Sequence, residues 1–74
     1  MKLYTKTICP KCLWVKSELE EANLQAEIIN IDHQEEALLR VKEAGFSSVP
    51  LLEVNGEWIA EVPHILQRIQ ALAK

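Results

Sequence analysis

The sequence predicts a single α/β domain over residues 1–74 with the element order βαβαββα, and three observations carry that reading. Two short strand-like stretches alternate with two stretches at helical spacing, the pattern of parallel strands joined by a crossover helix. An Asn55-Gly56 pair divides two further short runs, which is the strongest short-range hairpin signal. A final apolar stripe at helical spacing closes the chain.

Taken in order, Lys2 to Thr5 reads as the first strand, and Thr7 to Pro10 as a turn that places Pro10 in the first turn of a helix, where its missing N–H costs nothing. That helix runs to about Ala22, with Leu13, Val15, Leu19 and Ala22 as its apolar face and Asn23 as its stop. Ala26 to Ile31 forms the second strand, rich in β-branched residues and ended by Asp32. Asp32 or His33 caps a second helix whose inner face is Ala37, Leu38, Val41 and Ala44, with Gly45 beyond its end. Pro50 to Val54 and Glu57 to Ile59 are the two arms of the hairpin. Val62-Pro63 opens the last helix, which runs through Ala73 with Ile65, Leu66, Ile69 and Leu72 in a stripe.

Composition narrows the function classes. Apolar residues make up 49% of the chain and charged ones 26%, a balance that supports a folded core and argues against disorder. A net charge of -3 with interspersed signs gives no footprint for nucleic acid or an anionic membrane. The N-terminal residues lack the apolar core of a signal peptide, and no run is long enough to span a bilayer, so a cytoplasmic monomer is expected.

Chemistry concentrates in Cys9-Pro10-Lys11-Cys12. A disulfide over so short a span removes little unfolded-state entropy, so the pair is better explained by reactivity than by stapling. The first sulfur of such a pair lies at a helix start, near free N–H groups and the positive end of the dipole, which favour thiolate over thiol. A free cysteine titrates near about 8.5, and such motifs bring the first sulfur to roughly 7 or lower. Cys9 is therefore the expected nucleophile and Cys12, three residues on, the resolving thiol. Lys6 and Lys11 flank the pair and are expected to favour the thiolate, Lys6 more than Lys11. The bland readings carry less weight. Zinc normally takes four ligands, and the other candidates, His33 and His64, lack zinc-finger spacing, so no metal and no cofactor beyond the redox-active pair is expected. Iron–sulfur or metal carriage by a dimer is retained as an alternative of a different class. The two histidines read as capping or surface residues, and Trp58 as a packing residue. Trp14 is left between packing and a partner surface.

Tyr4-Thr5-Lys6-Thr7-Ile8-Cys9-Pro10-Lys11-Cys12, then Ser48-Val49-Pro50 before a strand, then Asn55-Gly56 and a final helix together resemble the glutaredoxin family over nearly the full length. The resemblance implies a thioredoxin-like fold, a four-stranded mixed sheet flanked by helices, and thiol–disulfide oxidoreductase activity on protein disulfides. It also implies a cis bond before Pro50, with Pro50 facing Cys9, the Val49 backbone pairing with substrate, and Pro10 beside them. The stretch Ile59-Ala60-Glu61-Val62-Pro63-His64 stands where glutathione-using members carry Gly-Gly and an acidic residue. A Glu61 carboxylate there opposes glutathione's own carboxylates. Trp58, Ala60 and Pro63 resemble instead the corresponding residues of NrdH-redoxins, glutaredoxin-like reductants of ribonucleotide reductase that draw electrons from thioredoxin reductase. Thioredoxin reductase and glutathione both remain as candidate donors.

Overall fold

Because Leu3, Tyr4, Leu51 and Leu52 are adjacent apolar residues on two strands, those strands must be covered on both faces, and this sets the layering. The computed structural model describes residues 1–73; Lys74, the last residue of the expected domain, lies outside them. The elements are β1 (Lys2–Thr5), α1 (Pro10–Glu21), β2 (Glu27–Asn30), α2 (Glu35–Glu43), β3 (Leu51–Val54), β4 (Glu57–Ala60) and α3 (Val62–Leu72). Among the described residues the strands form one mixed sheet in the order β2-β1-β3-β4. β1 and β2 run parallel, while β1–β3 and β3–β4 are antiparallel.

Strand periodicity divides the core in two. Leu3, Leu52 and Ile59 pair across the sheet and point to one side, where Val15 and Leu19 of α1 and Ile65 and Ile69 of α3 cover them. Tyr4, Ile29 and Leu51 point to the other, beneath Ala37 and Val41 of α2. Each buried Val, Leu or Ile side chain among them contributes roughly 1.5–3 kcal/mol of burial free energy.

The turns follow their residues. Asn55 and Gly56 have φ of 51° and 83°, the pair of positive values that a two-residue hairpin turn with the twist of the strands requires. Asn23 and Gly45, both at positive φ, end α1 and α2 in the same way. The Asn23 and Leu24 N–H groups bond back to Glu20 and Leu19, and those of Gly45 and Phe46 to Lys42 and Val41.

Several local expectations are corrected. Leu13 is 67% exposed and Cys12 takes its place on the buried stripe with Val15 and Leu19, because 12, 15 and 19 share one side of a 3.6-residue helix and 13 is turned away by about 100°. β2 is shorter than expected, since beyond Asn30 the Asp32 N–H turns to the Asn30 side chain at 2.9 Å. Neither Asp32 nor His33 caps α2; Gln34 stands at its N-cap, and the Asp32 carboxylate is committed to the Thr7 N–H instead. Ala44 and Leu72 fall at helix ends and lie exposed.

Candidate functional site

Cys9 occupies the N-cap of α1 with Pro10 behind it at the first helical position. Its carbonyl accepts the Leu13 N–H at 3.2 Å, starting the helix, and its Sγ accepts the Cys12 N–H at 3.1 Å. One of the N–H groups that a helix start leaves unpaired therefore points at the first sulfur. Cys9 and Cys12 are joined as a disulfide with Cα atoms 5.2 Å apart. The two cysteines are not equivalent: Cys12 is 3% exposed on the inner face of α1, while Cys9 is half-buried. Cys9 is the more accessible of the two.

Two grooves meet at Cys9. In one, of about 380 Å³, Cys9 and Pro10 face Ser47, Ser48 and Val49 across a gap edged by Lys6, Ile8 and Lys11. The bond between Val49 and Pro50 is cis, as the resemblance implied. Pro50 itself is buried, and Val49 is the half-buried residue on the groove wall. The other groove, of about 110 Å³, lies between α1 and β2 and also includes Lys6 and Cys9. Lys6 and Lys11 are exposed and, among the described residues, neither is in a salt bridge.

The loop that delivers Cys9 is held from a distance. The Asp32 carboxylate accepts the Thr7 N–H at 2.9 Å, and Asn30 Nδ2 donates to the Thr7 hydroxyl at 3.3 Å. The Thr7 backbone N–H is the main reason the Asp32 carboxyl sits below its ordinary value, with the positive charge of Lys6 assisting. His33 Nε2 lies 3.5 Å from the same hydroxyl, so it reaches the approach to the motif despite its distance in sequence. The only advance signal was an Asn-x-Asp run after a strand, which also reads as an ordinary turn or helix cap.

Behind the sheet, the Tyr4 hydroxyl donates to Glu53 at 2.8 Å and Arg40 pairs with the other Glu53 oxygen at 2.9 Å. Trp58 fulfils its packing role, stacked on Tyr4 at 5.1 Å and flanked by Phe46 and Arg40, both 5.8 Å away. Burial, and then the Glu53 carboxylate, push the Tyr4 phenol up to about 12. Trp14 faces outward with its Nε1 3.3 Å from Glu18. His64 lies 3.6 Å from Glu61 on the surface. Among the described residues no three His, Cys, Asp or Glu side chains gather, and no helix is long and apolar enough to cross a membrane.

A chain built this way has known relatives. The family model described as Glutaredoxin matches residues 1–59. The glutaredoxin-like protein NrdH of Lactococcus lactis subsp. lactis (strain IL1403) is 38% identical over 50 residues, covering 68% of this chain and 69% of the relative. The protein of the same description from Lactococcus lactis subsp. cremoris (strain MG1363) gives the same identity and coverage. The solved structure of the glutaredoxin-like protein NrdH-redoxin from Escherichia coli superposes with a TM-score of 0.81 at 25% identity, over 90% of both chains.

Proposed function

The chain belongs to the glutaredoxin family and is a thiol–disulfide oxidoreductase; from that premise we propose that it is a cytoplasmic, monomeric dithiol carrier in which Cys9 opens a protein disulfide and Cys12 completes the exchange. The observation that carries this reading is the Cys12 N–H aimed at Cys9 Sγ at 3.1 Å, with Cys9 the more accessible sulfur. In the reduced protein that N–H and the start of α1 favour a Cys9 thiolate over a thiol. The thiolate attacks one sulfur of the substrate disulfide; the S–S bond breaks, the other substrate sulfur leaves as a thiolate and takes up a proton, and a mixed disulfide forms. Cys12, losing its proton, attacks Cys9 Sγ; the mixed disulfide breaks, the second substrate sulfur leaves as a thiol, and Cys9–Cys12 closes. Two electrons and two protons pass to the substrate. Both electrons reside in the sulfur pair, so the cycle runs without a bound cofactor.

Lys6 and Lys11 assist by raising the local positive potential. Substrate lies in the groove lined by Pro10 and Val49 and pairs with the Val49 backbone; Pro50, next in the chain, is buried and does not line that groove. Ribonucleotide reductase is the proposed acceptor, on the likeness to NrdH proteins. For the donor we favour thioredoxin reductase over glutathione, because the Escherichia coli protein has a thioredoxin-like activity profile and because Glu61 stands at the start of α3. The test supplies NADPH with either thioredoxin reductase or glutathione and glutathione reductase, and follows NADPH oxidation with insulin disulfides as acceptor. Turnover with thioredoxin reductase and little with glutathione is expected; the opposite outcome overturns the choice of donor.

A further inference from the structure

The groove between α1 and β2 plays no part in the cycle described above, yet it ends on the same sulfurs. Its walls are Leu13 and Lys16 from α1 and Ile28 from β2, and its head is Lys6, Cys9 and Cys12. Lys16 and Ile28 also line a second hollow of about 300 Å³, farther along α1 toward Leu24, so the two hollows adjoin at that pair. Leu13 at 67% and Ile28 at 40% exposure are large apolar side chains left open on opposite sides of the groove at the cysteines. β2 is an edge strand, and Ile28 shares a row with the buried Leu3 beyond the cover that α1 and α3 provide.

Charge is also organised here. All eleven acidic residues fall between positions 18 and 61, and residues 5–17 carry Lys6, Lys11 and Lys16 with no acid among them, so a chain of net charge -3 presents a basic sulfur end. Among the acids nearby, Asp32 accepts the Thr7 N–H, Glu18 lies with Trp14, and Glu27 alternates to the opposite face of β2 from Ile28; Glu20 lines the neighbouring hollow rather than the groove at the cysteines.

The geometry points to the groove between α1 and β2 as a docking site for the protein substrate, taking a segment next to its disulfide that carries one apolar and one acidic side chain. The apolar side chain covers Leu13 and Ile28 and the acid meets Lys16 and Lys6. A substrate joined to Cys9 then has one arm against Val49 and the other along α1, and the contact lowers the energy of encounter and of the mixed disulfide together. This rests on the dithiol exchange proposed above and adds a preference for sequence around the disulfide.

The experiment uses the full chain, reduced and desalted, in single-turnover reactions at low salt. The substrates are peptide disulfides flanked on both sides by Leu and Glu, by Leu and Lys, or by Ser and Glu, with hydroxyethyl disulfide as a small neutral reference. Each reaction oxidises Cys9 and Cys12 to the disulfide and yields two substrate thiols, which are counted. The wild type is expected to prefer the Leu/Glu peptide to the Leu/Lys peptide by about threefold or more. Lys16→Glu reverses that ratio, and Leu13→Ser removes the preference for Leu/Glu over Ser/Glu. Ratios within one variant cancel any general loss of activity. A wild type that treats the three peptides alike, or variants whose ratios match the wild type, overturns the docking site. Failure to reduce even hydroxyethyl disulfide overturns the dithiol cycle itself.

Discussion

Replacing Glu61 by glycine is expected to stabilise the protein. Glu61 holds φ 67° and ψ 128° at the N-cap of α3, in the half of the map that an L-residue with a Cβ avoids. Among the described residues its side chain makes no capping hydrogen bond in return. Such a conformation costs of order 1–3 kcal/mol for a residue other than glycine. Glycine removes that cost but adds about 0.5–1 kcal/mol of unfolded-state freedom, and losing a carboxylate near a helix start subtracts a few tenths more, roughly 0.3 kcal/mol. The net gain is about 1 kcal/mol, which in a domain of this size raises the melting temperature by about 4–8 °C. Thermal unfolding of the oxidised protein at neutral pH measures it, with Glu61→Ala as the control that keeps the Cβ. If Glu61→Gly melts at or below the temperature of Glu61→Ala, the conformation is not costly and the reasoning is wrong. The same variant also removes the proposed obstacle to glutathione, so its turnover with glutathione rises.

Tyr4→Phe leaves Glu53 with Arg40 as its partner and is expected to lose roughly 1–2 kcal/mol of stability in urea unfolding. Because the folded-state phenol is raised to about 12, its contribution is present below the ordinary value of 10.0 and fades as pH rises toward 12, so wild type and variant converge there. Asp32→Asn has the opposite window: the carboxyl is depressed below 3.8, so the wild type's advantage is present above that value and shrinks as pH falls through the lower, folded-state one. Acid titration of both proteins by circular dichroism shows whether the curves approach each other. Cys12→Ser is expected to accumulate a mixed disulfide through Cys9 that mass spectrometry detects, and Cys9→Ser to lose disulfide reduction altogether.

Features that depend on neighbours in the chain were legible in the sequence. Asn55-Gly56 fixes its hairpin because both positions need positive φ, and Asn23 and Gly45 stop their helices for the same reason. Cys9-Pro10-Lys11-Cys12 announces both a helix start and a redox pair. Features that the sequence does not reveal are non-local or ambiguous at short range. Asp32 reads as a helix cap until the fold brings Thr7, 25 residues away, to its carboxylate. The pairing of Tyr4 with Glu53 spans 49 residues and depends on the β1–β3 register. The apolar spacing of 13, 15 and 19 imitates a core stripe at Leu13, yet the buried cysteine at 12 sets the true one. The groove beside it lies open along β2, an edge strand, a fact of topology that spacing along the chain does not contain.

The proposed exchange depends most on Cys9 being ionised where α1 begins. Iodoacetamide labelling of the reduced protein across pH, read separately at each cysteine by mass spectrometry, tests this most directly. The expected result is fast labelling of Cys9 with a midpoint well below the about 8.5 of a free cysteine, and a protected Cys12. A Cys9 midpoint near that ordinary value, or Cys12 labelled first, contradicts it.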